Sequence, residues 1–201
     1  MVFLKSCLNS NELEAGCDEA GRGCIAGPVF AAAVILPHDF HHPDLNDSKQ
    51  LSDKKRRILR LIIESESISW SVSFLDHSVV DSINVLNASI KAMQDAVLTL
   101  KIRPSSLLID GNRFKPFEIP YTCVVKGDSI YKSIAAASIL AKTYRDDYME
   151  LLHADYPAYH WNENKGYPTK KHCDAIIENG YSEYHRRTFV VKSLVQTSLK
   201  F

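Results

Sequence analysis

Two adjacent carboxylates run straight into a glycine-rich turn at Cys17 to Val29, C-D-E-A-G-R-G-C-I-A-G-P-V, and this stretch constrains the chain more than any other. Short apolar runs flank it, Leu13 to Cys17 before and Val29 to Leu36 after, both of the kind that makes buried strands. Asp18 and Glu19 therefore belong at or near a strand end. Successive residues of a regular strand point to opposite faces. Both acids can serve one centre only if the strand is ending there, which Gly21 and Gly23 permit. The same glycines bare backbone N–H groups to a ligand.

Two chemistries fit the stretch. Gly21, Gly23 and Ala26 satisfy the G-x-G-x-x-G/A spacing of a dinucleotide-binding turn, but that motif requires a helix to begin at the turn. Here Gly27, Pro28 and a β-branched run follow, which predicts a second strand. Two negative charges beside a diphosphate are also unfavourable unless a cation lies between them. The other chemistry supplies that cation, as a carboxylate cluster holding Mg2+ or Mn2+ against a phosphodiester.

The 201 residues, 45% of them hydrophobic, suffice for one domain with a real core, with room for a small appendage. No apolar run is long enough to cross a bilayer, and the N-terminus lacks the pattern of a signal peptide, so a cytoplasmic protein with no membrane partner is expected. The five cysteines are odd in number and contain no C-x-x-C pair, which argues against a disulfide framework or a zinc site. Formal net charge is zero, excluding blanket electrostatic attachment to nucleic acid. The segment from Tyr156 onward nevertheless carries seven Lys and Arg against four acids, a modestly basic region beside an acidic centre.

Further along, His38, His41 and His42 sit in a solvated loop, and Ser52 caps a helix from about Asp53 to Glu64 whose Lys and Arg residues form a solvated face. Ile68 to Leu75 alternates as a one-sided third strand. Ser78 and Asp81 resemble a capping box opening one long amphipathic helix through Val79, Ile83, Leu86, Ile90, Met93, Val97 and Leu100. Leu107 to Ile109 is a fourth strand ending in Asp110-Gly111-Asn112, the usual way an α/β fold presents a ligand at a strand end. Tyr121 to Val125 is a fifth, leading to Asp128 near the start of an alanine-rich helix that runs toward Leu152. Asp146 and Asp147, far down that helix, are expected to be surface or salt-bridging acids. The order β-β-(α)-β-α-β-α-β-α predicts an antiparallel meander of three strands and then two parallel strands on helical crossovers. Residues 156–201 read as a lobe of loops and one or two helices, Lys170 to Asn179 the clearest, after a 1–155 unit.

Seven ordered stretches together resemble ribonuclease HII, the type 2 ribonuclease H family: D-E-A-G-R-G-x-x-A-G-P-V, D-S-K-Q-L-S, L-L-I-D-G-N, V-V-K-G-D-S, A-A-A-S-I-L-A-K-T-Y-R-D, K-G-Y-P-T and H-R-R-T-F. The resemblance implies an RNase H-like fold, a mixed five-stranded sheet flanked by helices with a small C-terminal helical lobe. It also implies metal-dependent cleavage of the RNA strand of RNA–DNA hybrids and incision 5′ of single ribonucleotides embedded in duplex DNA, giving 5′-phosphate and 3′-hydroxyl ends. The family's four catalytic, metal-holding carboxylates fall on Asp18, Glu19, Asp110 and Asp128, with Mg2+ or Mn2+ as cofactor. Its glycine-arginine-glycine motif, which touches the ribonucleotide, falls on Gly21, Arg22 and Gly23. Its ribose-contacting tyrosine falls on Tyr167.

Gln50, His160 and Asn164 depart from the family pattern without touching the four acids. The type 3 relatives carry an added N-terminal substrate-binding domain, for which the residues before Gly16 leave no room. The terminal Q-T-S-L-K-F resembles the Q-x-x-L-x-F peptides that dock on a sliding clamp, through Gln196, Leu199 and Phe201. A monomer is expected. The competing readings are another two-metal nuclease such as a junction resolvase or type 3 enzyme, a nicotinamide oxidoreductase, and a catalytically dead hybrid-binding protein.

Overall fold

Strand β2 (Val29–Ile35) is buried along its whole length, and that decides the architecture. Its sequence V-F-A-A-A-V-I offers no polar face, so both sides must be covered by other elements. The structure, a computed structural model, describes residues 4–191. β2 pairs antiparallel with β1 (Glu14–Ala20) on one side and β3 (Ser69–Leu75) on the other. β4 (Ser106–Asp110) adds parallel to β1, and β5 (Tyr121–Val124) parallel to β4. The resulting order, β3-β2-β1-β4-β5, is the expected mixed sheet.

Helices cover both faces. Ala15, Cys17, Ala31 and Ala33 pack with Ile90, Met93 and Val97 of α3 (Val85–Leu98). On the opposite face Ala32 and Val34 meet Ala135 to Ala137 of α4 (Lys132–Asp155), with Leu59 and Ile63 of α1 (Asp53–Glu66) closing the layer. Helix α4 lies unusually close to β1. A methyl group on Gly16 would come within 2.3 Å of the Ser133 carbonyl carbon, so only glycine fits that crossing. The alanine run of α4 serves the same approach.

Four expectations need correction. The long helix after β3 is two, α2 (His77–Ile83) and α3, because Asn84 adopts φ 64° and caps α3 by accepting from Asn87 N. Asp76, not Ser78, caps α2, and Asp81 instead accepts from Arg187 N and Thr188 N, tying the C-terminal segment to α2. β4 and β5 are joined by a loop from Gly111 to Pro120 with no helix, its Phe114, Phe117 and Ile119 packed on the α3 side of the core. The basic face of α1 is not simply solvated either, since Arg57 and Arg60 both bridge to Asp147 of α4. Of the two readings for Asp146, surface or salt-bridging, the second holds, since it is buried beside Lys142.

Residues from Tyr156 to Val191 make a further cluster in which Tyr159, Trp161 and Ile176 pack on Ile25, Ala26 and Met149. It includes α5 (Trp161–Asn164) and α6 (Lys170–Asn179), the latter ending at Gly180 as expected. A buried imidazole pair sits at its centre. His172 Nδ1 donates to Tyr167 O at 2.9 Å, which leaves Nε2 to accept from Trp161 Nε1 at 3.1 Å and from His185 Nε2 at 3.1 Å. His185 Nδ1 in turn accepts from Ser182 N at 2.9 Å. Each ring is neutral in this scheme, and a proton added to either would set donor against donor.

Burial holds both histidines below the ordinary imidazole value, His185 at about 3, where His172, Arg187 and His77 also disfavour its charge. At these two positions the folded protein therefore binds fewer protons than the unfolded chain below about pH 6.5. Stability from this pair is fully present above that pH and is lost as pH falls toward the folded value. Denaturant melts of the protein and of His185→Gln should show the wild type losing on the order of 2 kcal/mol more than the variant between pH 7 and pH 5. Parallel pH profiles would remove the pair from acid sensitivity.

Candidate active site

Asp18 and Glu19 are placed by a strand that ends on one side only. The antiparallel ladder with β2 continues through both acids to Ala20↔Phe30, whereas the parallel ladder with β4 stops at Cys17↔Ile109. The strand thus ends at Ala20, one residue past the acids, which are near the strand end as expected, and only its edge toward β4 is open beside them. Strand alternation still holds. Asp18 turns to the α4 side, near Ser138, and Glu19 to the α3 side, where it shares a cleft with Ile90 and Met93. The open edge beyond Cys17 is where Asp110 emerges from β4, between the two.

Asp110 is tied to the fourth acid through the backbone. Its Oδ1 accepts from Gly127 N at 2.7 Å, and Gly127 opens the short 3-10 turn that carries Asp128. Burial raises the Asp18 carboxyl well above the usual range, and the charges of Glu19 and Asp110 push it further. Burial raises Glu19 as well, with Arg22 opposing it, and raises Asp110, with Asp128 adding to the effect. The four acids therefore share one electrostatic field, but Asp128 is buried behind Asp110 and is not among the residues lining the cleft.

The cleft, about 240 Å³, is lined by Asp18, Glu19, Gly21, Arg22, Gly23 and Asp110, together with Ser48, Lys49, Ser138, Lys142 and Tyr167. All four substrate-contacting positions named by the resemblance thus meet the acids in one place. A larger depression of about 650 Å³ lies along α2 and α3, beside Asn87 and Lys91, and contains none of them. Gln196, Leu199 and Phe201 lie outside the described residues.

Cations already stand against two of the acids: Arg22 Nη1 is 2.9 Å from Glu19 Oε1, and Lys49 Nζ is 3.3 Å from Asp128 Oδ2. No such ion pair with Asp18 or Asp110 occurs among the described residues. No group of three or more His, Cys, Asp or Glu is arranged to hold a metal ion among the described residues. A hard divalent cation fits such a half-built donor set, because Mg2+ takes one or two carboxylates and completes its shell with water and substrate phosphate. The buried Asp18 and the half-buried Asp110, both lacking a cation, are the groups such an ion would satisfy.

Lys49, Ser138 and Lys142 were not singled out from sequence. Asp47 accepts from Lys49 N at 2.8 Å and sets the turn that brings the exposed Lys49 to the rim of the cleft, a signal present in the D-S-K spelling. Ser138 bonds Ser48 at 2.8 Å, one helical turn before Lys142. Burial lowers the Lys142 ammonium, whose partner is the buried Asp146. Of the departures from the family pattern, Asn164 is a loop organiser, its side chain bonding Tyr159 O and Gly166 N, and Gln50 is exposed.

A family model described as ribonuclease HII matches residues 15–194. The chain is 62% identical to the ribonuclease HII of Parabacteroides distasonis, over 92% of this chain and 93% of that one. It is 59% identical to that of Bacteroides thetaiotaomicron, over 96% and 98%. Among solved structures, the ribonuclease H2 of Pyrococcus horikoshii OT3 superposes with a TM-score of 0.73 at 24% identity, covering 91% of this chain and 95% of that one. The ribonuclease HII of Archaeoglobus fulgidus, solved in complex with PCNA, gives 0.73 at 21% identity, over 90% and 96%. Bst-RNase HIII, solved with Mn2+, gives 0.65 at 18% identity, over 93% and 70%. At these identities the solved structures show the fold alone.

The two motif glycines differ in what requires them. Gly21 has φ +98°, and a Cβ there would lie 2.1 Å from Arg145 Nε. A Cβ on Gly23 would meet only the Tyr167 ring, at 3.8 Å. Gly21→Ala should therefore destabilise the fold by about 2 kcal/mol or more, while Gly23→Ala should leave the melting temperature unchanged. Equal melting shifts for the two would contradict this assignment.

Proposed function

The chain belongs to the ribonuclease HII family and is a metal-dependent endoribonuclease, and from this premise we propose that it hydrolyses the RNA strand of RNA–DNA hybrids and incises 5′ of single ribonucleotides in duplex DNA. The observation that carries the reading is the meeting, in one cleft, of an acidic cluster with a glycine-rich backbone and a half-exposed tyrosine. Asp18, Glu19, Asp110 and Asp128 are assigned the catalytic role and would hold the ions. Divalent ions, when bound, supply the Lewis-acid charge that activates water and stabilises the leaving 3′-oxygen. Mg2+ and Mn2+ both suit an all-oxygen donor set, and Mn2+ is the ion in the Bst-RNase HIII structure.

The remaining roles belong to this chain's own side chains. Gly23 faces the cleft without a side chain, so a sugar edge can reach its backbone, and a 2′-hydroxyl is the atom that separates RNA from DNA. Tyr167, 39% exposed, presents its ring beside Gly23 and is suited to stack on that sugar. Arg22 and Lys49, held on carboxylates in the free protein, are suited to turn to phosphate when cations and substrate enter. Residues 1–155 form the catalytic unit in this scheme, and the extension from residue 156 contributes Tyr167. The reaction is assigned to the cytoplasm. No helix among the described residues is long and apolar enough to cross a membrane.

The decisive assay incubates an end-labelled duplex containing one ribonucleotide with Mg2+, Mn2+ or EDTA. A single metal-dependent cut 5′ of the ribonucleotide is expected, with none in EDTA. Asp110→Asn should lower kcat by more than about 100-fold with little change in melting temperature. Cleavage of long hybrid alone would keep a two-metal nuclease and remove the single-ribonucleotide claim.

The C-terminal Q-T-S-L-K-F supports a second assignment, docking on a sliding clamp, and the ribonuclease HII of Archaeoglobus fulgidus was solved in complex with PCNA. A chain ending at Ser193 should lose clamp binding in a pull-down with the purified clamp while cutting the short duplex normally. Undiminished binding would show that Gln196, Leu199 and Phe201 are not the anchor.

A further inference from the structure

Two arginines lie wholly inside the protein, Arg145 of α4 at 0% exposure and Arg186 of the C-terminal segment at 1%. A buried guanidinium is ordinarily matched by a carboxylate, yet every hydrogen bond of these two runs to a main-chain carbonyl. Arg145 donates to Pro28 O at 3.0 Å, Ala26 O at 3.2 Å and Lys165 O at 2.7 Å. Arg186 donates to Gly27 O at 3.0 Å, Cys24 O at 2.8 Å and Arg22 O at 3.3 Å. Five of the six acceptors belong to residues 22–28, the loop that follows the two acids. The Nη2 of Arg186 is left with no partner among the described residues, so its guanidinium is aimed for the loop carbonyls and not for its own satisfaction.

The backbone of the C-terminal segment stitches the same loop from outside. Ile25 N donates to Gly166 O, Gly27 N to Tyr184 O, and Arg186 N to Ile25 O, each at 2.9 Å. The loop has almost no regular secondary structure, so these bonds and the two guanidiniums replace the ladder that would otherwise define it.

We propose that Arg186, acting with Arg145, is the positioning residue for ribonucleotide preference: the two guanidiniums hold loop 22–28 in the one backbone course that presents Arg22 and Gly23 to a ribose. The proposal rests on the assignment of Gly21 to Gly23 to the ribose, and it gives residues 156–191 a task beyond supplying Tyr167. A guanidinium suits this task because its planar fork spans several carbonyls at once, which a lysine ammonium of the same charge does not do.

Hydrogen exchange on the intact protein is the first test. The amides of Ile25 and Gly27 should exchange as slowly as those of β2; exchange at the rate of an exposed loop would overturn the proposal without any variant. The second uses Arg186→Lys, with Arg145→Lys alongside should the first fail to fold, and compares binding to a duplex with one ribonucleotide and to the all-DNA duplex, in EDTA. In a variant with native circular dichroism, affinity for the all-DNA duplex should stay within twofold of wild type. The preference for the ribonucleotide should fall fivefold or more, and Ile25 and Gly27 should lose protection. Loss of protection with an unchanged preference would overturn the proposal, leaving a purely structural clamp. If the wild type itself shows no preference, the ribose assignment is what fails, and exchange in the folded variant then decides the clamp by itself, unchanged protection overturning it.

Discussion

The close crossing of α4 over β1 is the contact on which the rest of the molecule depends. Gly16 lets the helix backbone come down onto the strand, and the small residues Ser133 and Ala135 to Ala137 keep it there. From that crossing one face of the helix runs on beneath the acids and the following loop, one residue per turn. Ser138 lies at Asp18, Lys142 in the cleft, Arg145 under Gly21, and Met149 against Gly27. A bulkier residue at position 16 would lift that whole row, and the cleft with it.

The same region concentrates buried charge of both signs and treats the two differently. The carboxylates are gathered where burial and mutual repulsion make their ionised forms costly, which is the electrostatic signature of a site that expects a cation. The guanidiniums donate to carbonyl dipoles and so stiffen backbone instead of neutralising acid. Between them lies the loop from Arg22 to Pro28, flexible by composition and rigid by its partners. Histidine chemistry adds a third kind of order, since the His172 ring holds the Tyr167 carbonyl through Nδ1 and meets His185 and Trp161 through an Nε2 that must stay unprotonated.

Much of this was legible along the chain. Continuous apolar runs marked β2 and β4, alternation marked β3, and the change from glycine to β-branched residues after Ala26 separated a strand from the helix a dinucleotide site needs. Asp110 and Asp128 stood out because each follows a short strand at a glycine. The break at Asn84 was missed because apolar spacing continues in step across it, and only the backbone conformation of one asparagine stops the helix. The β4 to β5 connection was misread as helical because parallel strands usually need a helix between them, whereas here three apolar side chains of an irregular loop do the covering. For Asp146 a surface and a salt-bridging reading both stood, and nothing in the local sequence tells that it and its partner Lys142, a turn earlier, are turned inward.

By itself the sequence determined most element types, the mixed sheet, and which acids and glycines are the candidates for the site, because periodicity and turn residues act within a few positions of one another. Tertiary structure alone decided which residues share the cleft. Asp18 and Glu19 point to opposite faces of one strand, and they meet only because the neighbouring ladder ends at Cys17 and leaves Asp110 room between them. Lys49, Ser138, Lys142, Arg145 and Arg186 come to the same loop from up to 164 positions away along the chain. No local pattern encodes such a meeting, since it is set by how closely one helix can approach one strand.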